Sequence, residues 1–349
     1  MFQGCYTALV TPMKDDEGRE VDYEMLRRLV DFQATAGVSG ILAMGTTGES
    51  PTLNWEEHAE VIEKIRDFTG NRCAVIAGTG SNCTREALKS TRHAAEYGFE
   101  AVLLVEPYYN GPSSLEIRRE YIGPIAEKYP DLEVIPYVIP GRSGTQLLPE
   151  DLALLCEKYK NINTVKEASG NPDNMRRSRK CAGSALRILS GDDDMTYLMM
   201  TDPQIDACGA ISVMSNVMPA AIQQMIEAIL EGDVDKGRRW YDDIKPLLGM
   251  VSVKTHEESP WGERLCRARN PLPVKTLMNM LGIQVGPPRQ PLGKMTRKGI
   301  NILRDSALEV QRNNTEVFRP IANFFNVDIE ERLTDSSVMD SLCYGDIGP

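Results

Sequence analysis

Short apolar runs alternate with amphipathic segments through the first two thirds of the chain. Eight of these runs have the length of buried strands, and they recur about one strand-plus-helix unit apart. The runs are CYTALV (5–10), SGILAMG (39–45), CAVIAGTG (73–80), AVLLVEP (101–107), EVIPYVIP (133–140), INTVKEA (162–168), LRILSGDD (186–193) and CGAISVMS (208–215).

The intervening segments have the helical period. After Asp22, a candidate N-cap, apolar residues follow at Met25, Leu26, Leu29 and Val30. Strand followed by helix, repeated eight times, predicts an α/β fold, a (β/α)8 TIM barrel. A doubly wound sheet is the alternative, but no GxGxxG opens the first helix.

The last third of the chain has a different pattern. Residues 217–250 are predicted to form two helices, and residues 252–270 a charged, irregular stretch around Trp261. The segment NPLPVK (270–275) leads into another helix, and a further helix is predicted over 294–312. We therefore divide the chain into a barrel over 1–230, a C-terminal helical subdomain over 231–325, and an extended or disordered tail over 326–349.

Composition narrows the functional classes. The net charge of −11 argues against nucleic acid as a partner, and no apolar stretch is long enough to span a membrane. The first residues resemble no signal peptide, and the eight cysteines contain no CxxC pair, so we expect reduced thiols in a cytoplasmic protein. Three histidines far apart in sequence make a transition-metal site unexpected.

One lysine stands out in this pattern. Lys166 lies within an apolar strand, in the run TVKEASG (164–170). Burial disfavours the ammonium form, and a neutral amine attacks a ketone to form a Schiff base. The alternative is a lysine at a strand end whose ammonium reaches water.

Polar residues follow several other predicted strands, at the end of a barrel where active sites lie. GTTGES (45–50) offers amides and hydroxyls that suit a carboxylate, unless it is a plain turn. The tyrosines of PYYN (107–110) and Tyr137 are either core residues or a proton relay. Asp192 and Asp193 suit a helix N-terminus better than a metal pair, because no histidine accompanies them.

Seven segments in this order resemble the dihydrodipicolinate synthase/N-acetylneuraminate lyase family of class I aldolases, over about residues 1–290. They are GTTGES, GTGSN (78–82), PYYN, GRSG (141–144), VKEASG, SGDD and GAISV. The resemblance implies a lyase of lysine and diaminopimelate biosynthesis that needs no cofactor or metal. It would condense pyruvate with L-aspartate-4-semialdehyde through a lysine Schiff base to give 4-hydroxy-tetrahydrodipicolinate.

The resemblance also implies individual roles. Lys166 would form the imine, and Tyr137 would be the general acid/base. Thr46 and Tyr109 would connect that acid/base to solvent. Three residues would bind substrate. Thr47 would hold the pyruvate carboxylate, Ile211 would pack on the adduct, and Arg142 would hold the carboxylate of the semialdehyde.

In the family the tyrosine matching Tyr109 reaches in from a neighbouring subunit. The resemblance thus implies a homo-oligomer, a homotetramer built as a dimer of dimers. It also implies an allosteric site for lysine at the dimer interface, with ordinary dimer packing as the alternative. The matching positions are Ser50, Pro51, Trp55, His58, Asn82, Glu86 and Tyr108.

The chain departs from the family in three places. Val138 replaces an asparagine that often follows the tyrosine of strand five, the stretch 252–270 is longer, and so is the tail beyond about 290. One alternative function is another aldolase or dehydratase, acting on a sialic acid or a 2-keto-3-deoxy sugar acid. Arg142 argues against it, because such enzymes usually lack an arginine in that loop. A non-catalytic binding protein is the other alternative, and the intact set of catalytic residues argues against that.

Overall fold

Eight parallel strands close into a barrel in which each strand pairs with the next and β8 pairs with β1. The computed structural model describes residues 2–345. Each predicted run contains one strand, so the predicted (β/α)8 barrel is confirmed. The strands are β1 Gly4–Ala8, β2 Gly40–Ala43, β3 Ala74–Gly78, β4 Ala101–Val105, β5 Glu133–Val138, β6 Thr164–Glu167, β7 Arg187–Ser190 and β8 Gly209–Ser212.

Helices follow the strands and cover the outside of the barrel. They are α1 Tyr23–Thr35, α2 Trp55–Thr69, α3 Thr84–Glu96, α4 Ser114–Glu116, α5 Gly123–Lys128, α6 Pro140–Ser143, α7 Pro149–Lys158, α8 Pro172–Ala182, α9 Thr196–Thr201 and α10 Pro219–Leu230. A π-helical segment, Ile117–Ile122, joins α4 to α5. Asp22 caps α1 as predicted, because its carboxylate accepts the Met25 amide at 2.9 Å.

The interior of the barrel is filled by apolar side chains that point inward from alternate strand positions. Leu42, Ile76, Ile135, Leu189 and Ile211 belong to this inner cluster, and all are essentially inaccessible to solvent. A second, larger cluster lies between the strands and the helices. Tyr137, Leu42 and Ala168 of this cluster also line a cavity at the carboxyl end of the barrel.

The C-terminal part adds six helices and two strands. They are α11 Val234–Leu248, β9 Ser252–Glu257, β10 Arg264–Arg269, α12 Leu272–Met280, α13 Arg297–Asn313, α14 Arg319–Phe325, α15 Ile329–Thr334 and α16 Ser336–Leu342. Short 3-10 turns lie at Ser50–Thr52, Asp193–Met195, Met214–Asn216, Gly249–Val251 and Thr315–Val317. The two helices predicted over 217–250 and the helix predicted over 294–312 are present as α10, α11 and α13.

The prediction of an irregular stretch over 252–270 is wrong. Strands β9 and β10 pair antiparallel there as a hairpin. Val253, Thr255 and Glu257 alternate inward along β9 and are buried, while Lys254 and His256 face outward. The charged outward residues hid this period-2 pattern in the sequence.

The tail is also more ordered than predicted. Helices α15 and α16 occupy most of 326–345, where we expected an extended or disordered segment. Ile329, Leu333 and Met339 are buried against the rest of the chain, which explains why the segment folds. Residues 346–349 of the predicted tail lie outside the described residues, and the division of the chain at residue 230 stays a prediction.

Among residues 2–345, no helix has both the length and the apolar character needed to cross a bilayer.

Candidate active site

Lys166 is a buried amine at the carboxyl end of the barrel. It lies on β6, only 4% exposed, and pairs in register with Tyr137 on β5. Burial lowers the pKa of the Lys166 ammonium from 10.5 to about 8, although Asp192 and Asp193 act in the opposite direction. The amine therefore has a substantial neutral fraction near neutral pH.

The backbone beside Lys166 makes room for its side chain. A Cβ on Gly191 would lie 2.9 Å from Cε of Lys166 and 2.8 Å from Cβ of Ala168. Both distances are shorter than ordinary carbon contacts, so a larger residue would displace the lysine stem. This close approach gives a physical reason for the glycine of SGDD.

Tyr137 is the nearest aromatic partner of the amine. Nζ of Lys166 lies 4.1 Å from the centroid of the Tyr137 ring, and the tyrosine is 5% exposed. Burial raises the pKa of the Tyr137 phenol well above its usual value, and the nearby Arg142 and the Thr46 hydroxyl act in the lowering direction. The phenol is thus protonated at neutral pH and beside the amine, which is the placement of a proton donor.

A cavity of about 180 Å³ opens above these residues. Its wall includes Thr46, Thr47, Tyr137, Arg142 and Lys166, which brings together five of the seven residues predicted to act on substrate. The cavity is large enough for a molecule of a few carbon atoms.

Two of the seven predicted residues lie elsewhere. Ile211 is fully buried in the inner apolar cluster, together with Leu42 and Tyr137, which do line the cavity. Tyr109 is absent from the cavity wall, is 92% exposed and has a backbone φ of 83°. A tyrosine in this sparsely populated backbone region carries strain, and its backbone N–H donates a hydrogen bond to the Ser143 carbonyl at 3.3 Å.

Sequence reasoning missed Asn270 as a wall residue. Its Nδ2 donates to Oγ1 of Thr47 at 3.0 Å, while its Oδ1 is buried with no partner among the described residues. The donated hydrogen bond fixes the threonine hydroxyl at the cavity wall. A signal was available, since Asn270 opens the segment NPLPVK.

A buried ion pair holds the GTTGES turn from behind. Nζ of Lys275 lies 2.7 Å from Oε1 of Glu49 and also donates to the Thr11 and Pro287 carbonyls at 3.0 and 3.2 Å. The other Glu49 oxygen accepts the Arg289 amide at 2.7 Å. Because every member has a partner, the network can hold a charged pair in the interior and fix the turn that carries the threonines.

The two aspartates of SGDD have separate places. Asp193 is buried and accepts the hydroxyl of Ser212 and the amides of Val213 and Met214, the latter two at 2.9 and 3.3 Å. It therefore caps the 3-10 turn after β8, whereas the sequence predicted a role at a helix N-terminus. Asp192 instead lines the cavity, and burial raises its pKa to about 6.

Arg142 connects the barrel to the hairpin. It is half-buried on α6, and its Nη2 donates to the carbonyl of Asn270 at 3.2 Å. Burial lowers the pKa of the Arg142 guanidinium, and the nearby Arg269 and Arg267 lower it further. Arg269 of the hairpin, which sequence reasoning also missed, lines the same cavity.

The residues predicted to bind lysine fall into two groups. Ser50, Pro51 and Tyr108 line a neighbouring cavity of about 220 Å³, which shares Tyr137 and Arg142 with the first cavity. The other four lie off its wall. Trp55 and His58 are in ring contact at 5.2 Å, Glu86 accepts the Ser81 hydroxyl at 2.7 Å, and Asn82 is exposed.

His58 has a further property. It is buried, its Nε2 lacks a partner among residues 2–345, and burial with a smaller effect of His93 lowers its pKa to about 4. It is therefore neutral near pH 7. Across the described part of the chain, no three His, Cys, Asp or Glu residues lie together as potential metal ligands.

Most of the chain matches one family of known proteins. The dihydrodipicolinate synthetase family model matches residues 1–308. A 4-hydroxy-tetrahydrodipicolinate synthase of Methanocaldococcus jannaschii is 39% identical over 305 residues, covering 87% of this chain and 97% of the relative.

Solved structures agree with the sequence comparison. Dihydrodipicolinate synthase from Aquifex aeolicus is 36% identical, with a TM-score of 0.79, and the match covers 91% of this chain and 100% of that one. The enzyme from Cyanidioschyzon merolae with lysine bound is 34% identical, with a TM-score of 0.76 over 88% of this chain and 98% of that one. Sequence and fold together show that this chain belongs to the dihydrodipicolinate synthetase family.

Proposed function

We propose that this chain condenses pyruvate with L-aspartate-4-semialdehyde to give 4-hydroxy-tetrahydrodipicolinate, a lyase step of lysine and diaminopimelate biosynthesis. The observation that carries the proposal is the Lys166 amine. It is buried beside Tyr137, its pKa is lowered to about 8, and it faces a cavity whose wall carries Thr47 and Arg142. Family membership supplies the substrates.

The first half of the reaction uses pyruvate. Neutral Lys166 attacks the ketone, and loss of water gives a protonated imine, which withdraws electrons from the neighbouring methyl group. A methyl proton leaves and an enamine forms. The Thr47 hydroxyl, held by Asn270, is positioned to bind the pyruvate carboxylate.

Proton transfer in these steps is assigned to Tyr137. Its phenol is protonated at neutral pH and lies against the amine, so it can give a proton to the departing water and take one back later. Thr46 is the adjacent hydroxyl and the first link toward solvent.

The second half uses the aldehyde. The enamine carbon attacks the aldehyde carbon, and the substrate amine then displaces Lys166 as the ring closes. Arg142 is the carboxylate-binding residue for this substrate, because a planar guanidinium matches a carboxylate with two parallel hydrogen bonds.

We also propose that the active form is a homo-oligomer, a dimer of dimers in the cytoplasm. The exposed and strained Tyr109 supports this, since its ring lies outside the wall of its own cavity, where a neighbouring subunit can contact it. We further propose a regulatory site for lysine, on the basis of the family resemblance and of a second cavity. Ser50, Pro51 and Tyr108 line a cavity next to Tyr137, and inhibition by L-lysine but not D-lysine would test it.

Turnover with alternative aldehydes tests the choice of second substrate. We expect aspartate semialdehyde to be consumed with pyruvate at a kcat/KM at least about tenfold above that of any sugar aldehyde. A clear preference for a sugar aldehyde would reject the synthase assignment while leaving the aldolase chemistry in place.

Arg142→Ala separates the two halves of the reaction. Imine formation with pyruvate should persist, while kcat/KM for the semialdehyde should fall about 100-fold, because only the second substrate loses its carboxylate partner. Equal loss of both activities would contradict the role assigned to Arg142. Lys254→Ala is the control, since Lys254 is exposed on the hairpin outside the cavity wall.

A further inference from the structure

The β9–β10 hairpin places a second guanidinium in the active-site cavity. Arg269 is the last residue of β10 and lines the same wall as Lys166 and Arg142. The wall therefore carries three basic side chains and one acidic side chain, Asp192. This excess of positive charge points to an anionic occupant.

The hairpin and the Arg142 loop are joined by two reciprocal hydrogen bonds. Nη2 of Arg269 donates to the Gly141 carbonyl at 2.9 Å, and Nη2 of Arg142 donates to the Asn270 carbonyl at 3.2 Å. Each guanidinium thus holds the backbone next to the other one. This arrangement keeps two like charges at the same wall, where repulsion alone would separate them.

Much of the hydrogen-bonding capacity of this pair is unused. A guanidinium has five N–H donors. Within residues 2–345, neither Arg142 nor Arg269 has a carboxylate within 4.0 Å, and Nε of Arg269 is buried without a partner. Burial, with the neighbouring Arg267, lowers the pKa of Arg269 as well. An acceptor with negative charge would satisfy both the free donors and the crowded charges.

We propose that Arg269 binds the carboxylate of the second substrate together with Arg142 and is a specificity-determining residue of this chain. The inference deepens the proposed function and depends on it. The condensation joins two carboxylates in one molecule, and the Thr46–Thr47 turn accounts for only that of pyruvate. The second carboxylate lies in the clamp formed by Arg142 on the barrel and Arg269 on the hairpin.

Two substitutions of Arg269 separate its charge from its hydrogen bond. Arg269→Gln keeps a neutral N–H donor for the Gly141 carbonyl but removes the charge, whereas Arg269→Lys keeps the charge and loses the planar fork. We expect Arg269→Gln to raise KM for L-aspartate-4-semialdehyde about tenfold or more, with kcat and KM for pyruvate within about twofold of wild type. Arg269→Lys should recover part of the loss.

The control is Lys254→Gln, an exposed basic residue of β9 outside the cavity wall, which should leave both KM values unchanged. If Arg269 only fastened the hairpin, the Gln and Lys variants would behave alike, or kcat and KM for pyruvate would change as much as KM for the semialdehyde. Either result would overturn the inference, as would an unaltered KM in Arg269→Gln. A wild-type protein that does not turn over the semialdehyde would instead reject the proposed function, which keeps the two failures distinct.

Discussion

At the scale of single residues, the chemistry depends on the burial of one amine. Lys166 is enclosed by Tyr137, Ala168 and the glycine backbone of residue 191, and this burial lowers its pKa to about 8. The carboxylate of Asp192 limits the shift, because a nearby negative charge favours the ammonium form. The balance leaves about a tenth of the amine neutral at pH 7.

This balance predicts the pH dependence of imine formation. Only the neutral amine attacks pyruvate, so the second-order rate should rise about tenfold per pH unit below the pKa and level off above about pH 8. Rapid-quench borohydride trapping between about pH 6 and about pH 10 measures it.

Asp192→Asn supplies the matched variant for the pH profile. Because Asp192 raises the pKa of Lys166, its removal should move the midpoint to lower pH. A wild-type rate that still rises steeply between about pH 9 and about pH 10 would mean that burial does not lower this pKa.

Residue type and strand position singled out Lys166, whereas the roles of Lys166 and Tyr137 were predicted only from the family resemblance. An amine within an apolar strand is costly, and the barrel pattern places it at the active end. Arg269 could not be predicted in this way, because it enters the cavity from a hairpin whose alternation was hidden among charged residues, and Asn270 directly follows that hairpin. Their positions depend on contacts with the loop at Gly141 and Arg142, far away in sequence.

At the scale of elements, the turn that carries Thr46 and Thr47 is held by a charged pair in the core. Glu49 and Lys275 have fully buried side chains 2.7 Å apart, on segments 226 residues apart in the chain. A buried ion pair contributes modest net stability, but breaking one leaves a charge without a partner in the interior. The pair therefore specifies where the C-terminal helix α12 meets the turn.

The costs of removing the two members of this pair should not be additive. Lys275→Met is expected to lower the free energy of unfolding by about 3–5 kcal/mol, because Glu49 stays buried without its counter-charge. Glu49→Gln combined with Lys275→Met should cost less than the sum of the single changes, since the amide still accepts the Arg289 N–H. Denaturant unfolding at fixed protein concentration gives the comparison.

The control for this cycle is an exposed ion pair of the same residue types. Lys14 and Glu20 lie 3.0 Å apart with side chains 50% and 71% exposed, so Lys14→Met should leave the unfolding midpoint unchanged. Additive effects at Glu49 and Lys275 would show that the two side chains are not energetically coupled.

The barrel strands and the long helices of the fold were predictable from the sequence, and the short C-terminal helices were not. The eight strands and helices α10, α11 and α13 follow from period and length. The short helices α15 and α16 do not, because six or seven residues cannot sustain a helix without the tertiary contacts of Ile329, Leu333 and Met339. Isolated segments of that length are ambiguous until their packing partners are known.

At the scale of the whole molecule, the proposed oligomer makes Tyr109 part of the site of a neighbouring subunit. Its ring is 92% exposed on a strained backbone, away from the cavity that holds Lys166. Under the proposed oligomer, Tyr109 of one subunit completes the proton path of its neighbour.

Mixing two inactive variants tests this arrangement. A Lys166→Ala chain keeps Tyr109, and a Tyr109→Phe chain keeps Lys166, so a mixed dimer contains one site with both residues. Refolding the variants together should raise activity well above the sum of the separate preparations, toward about a quarter of wild type for random pairing. Activity that stays at the sum would show that Tyr109 acts within its own chain or has no catalytic role.

The central claim, that Lys166 carries the reaction as an imine with pyruvate, is tested most directly by chemical trapping. Incubation with pyruvate and borohydride, followed by proteolysis and mass spectrometry, locates the reduced adduct. We expect an addition of about 72 Da on Lys166 and on no other residue, and none in Lys166→Ala. An adduct at a different lysine, or no adduct in a protein that consumes pyruvate, would contradict the account.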